Sequence, residues 1–150
     1  MPIIFVDADA CPVKQEVCRV AQRFDLDVVF VANTRMRIPE YQKARLIVVN
    51  NQFDAADKWI TEHCGTDDVV VTADILLADS CIKKGAAVLG STGKEFTEDS
   101  IGTAVAMKDL MSELRQSGLV SAGPAPFNQK DRSRFLQMLD QIIQRIKNKK

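Results

Sequence analysis

Five short apolar runs alternate with amphipathic stretches along this chain, and no other feature restricts its fold so strongly. The runs are Pro2–Val6, Asp27–Ala32, Arg45–Asn50, Asp68–Thr72 and Ala86–Leu89. They are apolar at consecutive rather than alternate positions, which marks strands buried on both faces of a parallel sheet. Between them the spacing is helical. Pro12–Phe24 places Val13, Val17, Val20, Ala21 and Phe24 on one face, and Pro12 suits a first helical turn, where its missing N–H costs nothing. Asp54–Cys64 opens on Asp54 as a natural N-cap and stops at Gly65, and Asp74–Lys84 stops at Gly85. Asp99–Gln116 carries Val105, Leu110, Met111 and Leu114 as a buried stripe. A final amphipathic helix from Asp131 to about Lys147 carries Phe135, Leu139, Ile142, Ile143 and Ile146. The expected fold is α/β, a three-layer sandwich in which helices cover both faces of a mainly parallel five-stranded sheet. Asn33–Glu40 and Gly90–Lys94 read as loops, the second flexible. Ser117–Gln129, rich in Gly, Pro, Ser and Ala, reads as a connector. One helix beyond it cannot form a separate core, so residues 1–150 are expected to make a single domain.

Charge and composition narrow the function. Lys plus Arg is 20 and Asp plus Glu is 20, so bulk charge alone would not hold this chain on nucleic acid; any such binding rests on local patches. No apolar stretch approaches the length that crosses a bilayer, so no membrane association is expected. The opening residues reach Asp7 and Asp9 without a basic segment and do not read as a signal peptide. The four cysteines, Cys11, Cys18, Cys64 and Cys81, form no CxxC pair and are expected to be reduced thiols in cytoplasm. With one histidine, His63, multi-histidine zinc chemistry is excluded.

The carboxylates carry the chemistry. In open α/β sheets the site forms outside the carboxyl ends of the strands. Asp7 ends the first strand, Asp9 lies in the turn after it, and Asp74 lies just past the fourth strand. Neighbouring first and fourth strands would bring Asp7 and Asp74 to one rim. The helix that leads back into the fourth strand starts near that rim, which lets Asp57 approach. Gathered carboxylates repel each other, and a hard divalent cation with oxygen ligands, Mg²⁺ or Mn²⁺, removes the conflict. Each acid also has a purely structural role open to it. Asp7 and Asp9 would cap the helix at Pro12, Asp57 would favour a helix dipole, and Asp74 would cap its own helix.

Phe5-Val6-Asp7-Ala8-Asp9-Ala10-Cys11-Pro12-Val13-Lys14 resembles the opening signature of the bacterial YaiI/YqxD family. The pattern continues through Ala56-Asp57-Lys58-Trp59-Ile60, Val70-Val71-Thr72-Ala73-Asp74-Ile75, Leu114-Arg115 with Gly118, and Gly123-Pro124-Ala125-Pro126-Phe127 with Asp131-Arg132 and Phe135. The family is similar to PIN-like nuclease domains, whose acids fall on the first strand end, a middle helix and the fourth strand end. The resemblance therefore implies metal-dependent hydrolysis of phosphodiesters, RNA more than DNA. It makes Asp7, Asp57 and Asp74 catalytic, with Asp9 and Asp79 as further metal ligands. Lys14, Arg35, Arg37, Thr72, Ser91, Thr92 and Lys94 are the expected substrate contacts. Asp99, opening its helix, is a candidate fourth acid.

The charge distribution fits that expectation. Seven acids and one lysine lie between Asp54 and Asp79. Basic residues dominate Arg35–Arg45 and Lys130–Lys150, an arrangement that suits a metal centre flanked by phosphate contacts. Gly90-Ser91-Thr92-Gly93-Lys94 is not a nucleotide-triphosphate loop, since Val88 and Glu95 break the pattern, but its backbone and Lys94 suit a substrate phosphate. Cys11 near a helix start would favour a thiolate, yet His63 is too distant in the pattern to serve it. Two other readings compete. Asp7-Ala8-Asp9 also fits a haloacid-dehalogenase-like phosphatase with Asp7 as nucleophile and Thr72 as a second-motif hydroxyl. A module that binds RNA or protein without catalysis is the other.

Overall fold

The computed structural model describes residues 2–9, 11–50, 55–102 and 127–149. The expected N-cap at Asp54, the rest of the Asp99–Gln116 helix from 103 onward, and residues 117–126 of the expected connector lie outside the described residues. Six strands form one sheet in the order β3-β2-β1-β4-β5-β6. They are β1 (Ile3–Asp7), β2 (Asp27–Ala32), β3 (Ala44–Val48), β4 (Val69–Val71), β5 (Ala87–Leu89) and β6 (Glu95–Phe96). The first five are parallel, and β6 runs antiparallel to β5. The helices are α1 (Lys14–Phe24), α2 (Ala55–His63), α3 (Ile75–Lys83), a helical segment at 98–102 (α4), and α5 (Gln129–Asn148).

The centre of the sheet is buried on both faces because β1, β2, β4 and β5 are apolar at nearly every position. Ile4, Val6, Val28, Phe30, Val69, Val71 and Leu89 face one side, where Val17, Val20 and Ala21 of α1 meet Phe135, Leu139, Ile142 and Ile143 of α5. Phe5, Val29, Val31, Val70 and Val88 face the other, against Ile60 of α2 and Leu77, Ala78 and Cys81 of α3. Adjacent strand residues thus feed two separate cores, the mark of a three-layer sandwich. Each fully buried Val, Ile or Phe contributes about 1.5–3 kcal/mol of burial free energy.

The expected five-stranded sheet is corrected to six. Gly90–Lys94, expected as a loop, is the tight turn of a β5–β6 hairpin. The Gly90 N–H donates to the Lys94 carbonyl (2.9 Å) and the Gly93 N–H to that of Gly90 (3.0 Å). Helix starts also shift. Pro12 and Val13 precede α1, which begins at Lys14, and neither Asp7 nor Asp9 caps it. The last helix starts at Gln129, ahead of the expected Asp131. There Asn128 and Asp131 form a capping box: the Asn128 side chain accepts from the Asp131 N–H (2.9 Å), and the Asp131 carboxylate accepts from the Asn128 N–H (3.1 Å). The α4 segment opens on Thr97, whose hydroxyl accepts from the Ser100 N–H, so Asp99 is a first-turn residue rather than a cap.

Two ion pairs fix the direction of α5. Arg132 pairs with Glu16, and Arg23 pairs with Asp140. Early α5 therefore meets early α1 and later α5 meets later α1, so the two helices lie side by side and parallel. Among the described residues no helix is long and apolar enough to cross a membrane.

Candidate active site

The rim at the carboxyl ends of the strands is built by register. β1 lies between β2 and β4, with Asp7 opposite Val31 and Val6 opposite Val71. Asp7, the last residue of β1, thus lies level with Thr72, just past the end of β4. The Thr72 hydroxyl donates to Asp7 Oδ2 (3.0 Å) and accepts from the Asp74 N–H (3.0 Å). One threonine, almost wholly buried, therefore ties the two expected acids into a single chain of hydrogen bonds.

Asp74 caps α3, as the structural reading of the sequence had it. Its Oδ1 accepts from the N–H groups of Leu76 (2.9 Å) and Leu77 (3.2 Å). Asp9 has a partner that the sequence did not reveal: its Oδ2 accepts from the Asn33 N–H (2.9 Å), just past the end of β2. The signal was present in principle, since parallel neighbours in register bring the residues after β1 and β2 level, but it required knowing that these strands are neighbours. Asn33 Oδ1 is buried with no hydrogen-bond partner among the described residues.

A common arrangement emerges. Asp7, Asp9 and Asp74 each have one carboxylate oxygen anchored by the protein, while Asp7 Oδ1, Asp9 Oδ1 and Asp74 Oδ2 accept no hydrogen bond among the described residues. Burial pushes the Asp7 carboxyl above its usual range; Thr72 opposes that shift, and the charges of Asp74 and Asp9 add to it. Asp7 therefore feels both neighbours electrostatically. Among the described residues no three His, Cys, Asp or Glu side chains already stand close enough together to hold one metal ion.

The remaining expected residues lie on α1, α2 and α3 and in the segments that follow β2 and β5. Asp57 lies in the first turn of α2, half-buried. Asp79 pairs with Lys83 one turn along α3 (3.1 Å). Lys14 Nζ donates to the Cys11 carbonyl (2.8 Å), which folds it over the β1–α1 turn. Arg35 and Arg37 are exposed in the segment after β2. Thr92 and Lys94 are exposed in the hairpin turn and Ser91 is half-buried there. Burial pushes the Cys11 thiol upward despite its place near α1, which disfavours a thiolate there. Burial likewise pushes Cys18 up to about 11, and all four cysteines are free. His63 closes α2, with Nδ1 2.7 Å from the Trp59 carbonyl and its ring stacked on Trp59.

Residues 5–145 match a family model described as "Uncharacterized BCR, YaiI/YqxD family". The chain belongs to the YaiI/YqxD family. Relatives that it resembles include a "UPF0178 protein" of Rhodospirillum rubrum, 53% identical over 96% of this chain and 97% of the relative. Others are a "UPF0178 protein" of Sphingopyxis alaskensis, 50% identical over 97% and 96%, and one of Brucella ovis, 52% identical over 96% and 90%. No solved structure gives a significant match. The YaiI/YqxD match runs from within β1 to within α5, so it spans the acidic rim and both helices that flank it.

Proposed function

We propose that this YaiI/YqxD protein is a cytoplasmic nuclease that hydrolyses phosphodiesters, RNA in preference to DNA, through Mg²⁺ or Mn²⁺ held at the acidic rim. The observation that carries the reading is the Asp7–Thr72–Asp74 chain at the carboxyl edge of the sheet, with one oxygen of each acid left over. The donor set suits a hard cation: Thr72 links the Asp7 carboxylate to the Asp74 backbone N–H, Asp9 accepts from the Asn33 N–H, and Asn33 Oδ1 is buried with no hydrogen-bond partner among the described residues. Mg²⁺ commonly takes one or two carboxylates and fills its other positions with water and substrate phosphate, so Asp7 and Asp74 are a sufficient protein share. Bound there, the ion would activate water and offset charge on the phosphoryl group in the transition state. Asp7 and Asp74 would hold it, and Asp9 and Asp57 would complete the set. Asp79, already balanced by Lys83, is the outermost member. Thr72 orients Asp7 by donating its hydroxyl proton to Oδ2. Lys14, Arg35, Arg37, Ser91, Thr92 and Lys94 would meet the substrate.

Asp74 separates structure from chemistry. Asn caps a helix about as well as Asp, so Asp74→Asn should melt within about 1 °C of the wild type while losing cleavage. Asp74→Ala should lose cleavage and also about 1 kcal/mol of stability with the cap. The assay is cleavage of end-labelled RNA by purified protein with added Mn²⁺, and with EDTA as its control. Cleavage that survives EDTA, or that Asp74→Asn leaves at the wild-type rate, would refute the proposal.

A further inference from the structure

We infer that Arg132, gripped by Glu16 and Phe127 at the start of α5, is a phosphate-contact residue that seats a nucleic-acid strand beside the acidic rim. The inference rests on the nuclease reading and adds to it a binding residue absent from the expected substrate contacts. Two observations place Arg132 at the rim. It pairs with Glu16 in the first turn of α1, which begins a few residues beyond Asp7. Two residues on, Arg134 Nη1 donates to the Thr92 carbonyl in the β5–β6 turn (3.5 Å), which leaves the same edge of the sheet.

The side chain is held on two sides. Arg132 Nη1 donates to Glu16 Oε2, and the guanidinium lies 5.2 Å from the centre of the Phe127 ring. A guanidinium has five N–H donors in a planar fork. Among the described residues only the bond to Glu16 uses any of them, and the side chain keeps 36% of its exposure. An arginine fixed at one edge and one face, with its other donors outward, is pre-organised for a phosphate oxygen pair.

Stability alone does not explain the pair. The Glu16 side chain is nine-tenths buried, and its Oε1 has no hydrogen-bond partner among the described residues. A carboxylate buried with one oxygen unmet is a poor way to join two helices, and an apolar pair of similar volume serves that purpose as well or better. The Arg23–Asp140 pair joins the same two helices far from the rim and provides a matched comparison.

The test is binding of a fluorescent single-stranded RNA oligonucleotide, read by anisotropy over a salt series. It is done in an Asp7→Asn background so that strands stay intact. Arg132→Gln should raise Kd about tenfold and reduce the magnitude of the slope of log K against log salt by about 0.7, the loss of one phosphate contact on a single strand. Arg132→Lys, which keeps the charge but not the fork, should fall between. Arg23→Gln should match the parent in both. Unchanged Kd and slope in Arg132→Gln, or an equal loss in Arg23→Gln, would overturn the inference. If this occurs while Asp74→Asn still abolishes cleavage, only the role of Arg132 fails; if the parent binds no RNA, the nucleic-acid substrate fails with it.

Discussion

Asp7→Asn should lose about 10³-fold or more in RNA cleavage and, at neutral pH, be more stable than the wild type. The activity loss follows from the proposed chemistry: a bound cation is worth several kcal/mol to a phosphoryl transition state, and each 1.4 kcal/mol is tenfold in rate. The stability gain follows from linkage. Burial, with the nearby charges of Asp74 and Asp9, holds the Asp7 carboxyl above its ordinary value of 3.8 in the folded chain, although the Thr72 hydroxyl pulls the other way. A group whose folded pKa is raised favours the fold below its unfolded value, and that favour is lost as pH rises through the folded value. At neutral pH the ionised Asp7 is therefore a cost to the fold. Asparagine carries no charge and its Oδ1 still accepts the Thr72 hydrogen bond. The stability difference between variant and wild type should be largest near pH 7 and shrink toward about pH 3, where the wild-type carboxyl is protonated in both states. Melting curves across that range check it. A variant less stable than wild type at pH 7, or a difference independent of pH, would contradict the electrostatic account of the rim.

Gly93→Ala should lower the melting temperature by about 10 °C. Gly93 sits at φ +89, where an L side chain is strained, and a Cβ there would come 2.7 Å from the Arg134 carbonyl carbon and 2.8 Å from the Phe135 nitrogen. Those are backbone atoms of α5 and cannot swing aside. Strain of about 1–2 kcal/mol and an overpacking cost of about 1–3 kcal/mol add to roughly 3 kcal/mol. For a domain of this size that corresponds to about 10 °C. The variant should also lift the hairpin from α5, weakening the contact between Arg134 and Thr92. Urea denaturation followed by circular dichroism measures the loss, and an unchanged midpoint would show that the turn does not press on the helix.

The sequence carried much of the sheet because its strands need no partner to announce themselves. Val69, Val70 and Val71 are apolar in succession, and only a strand covered on both sides accommodates that. Asp74 was legible for a similar reason, since a cap is a local event within four residues. What escaped the sequence depends on distant neighbours. β6 is two residues long, and Glu95 and Phe96 are a strand only because Val88 and Leu89 offer free backbone groups. The Asp9–Asn33 hydrogen bond spans 24 residues and the Arg132–Glu16 pair spans 116. Neither has a periodicity to read. The reading of Gly90–Lys94 as a loop missed the hairpin, because a glycine-rich stretch does not show in sequence that Gly93 is there to let a helix approach. The link between Asp7 and Asp74 lay between these cases. It was inferred from assumed strand adjacency, and the observed order puts β1 and β4 side by side.

The same order has a consequence for synthesis. β1 is made first but ends in the interior of the sheet, with β2 on one flank and β4 on the other. Translation delivers β2 soon after it, so that flank can zip while the chain is still emerging. The opposite flank stays open until Val69–Val71 leaves the ribosome, about 65 residues after β1 by register. For that interval an apolar strand exposes unpaired amide groups on a growing polypeptide, the condition under which aggregation begins. Ribosome-bound fragments cut before residue 69 should therefore be the ones that recruit holdase chaperones, and fragments extended past residue 89 should release them.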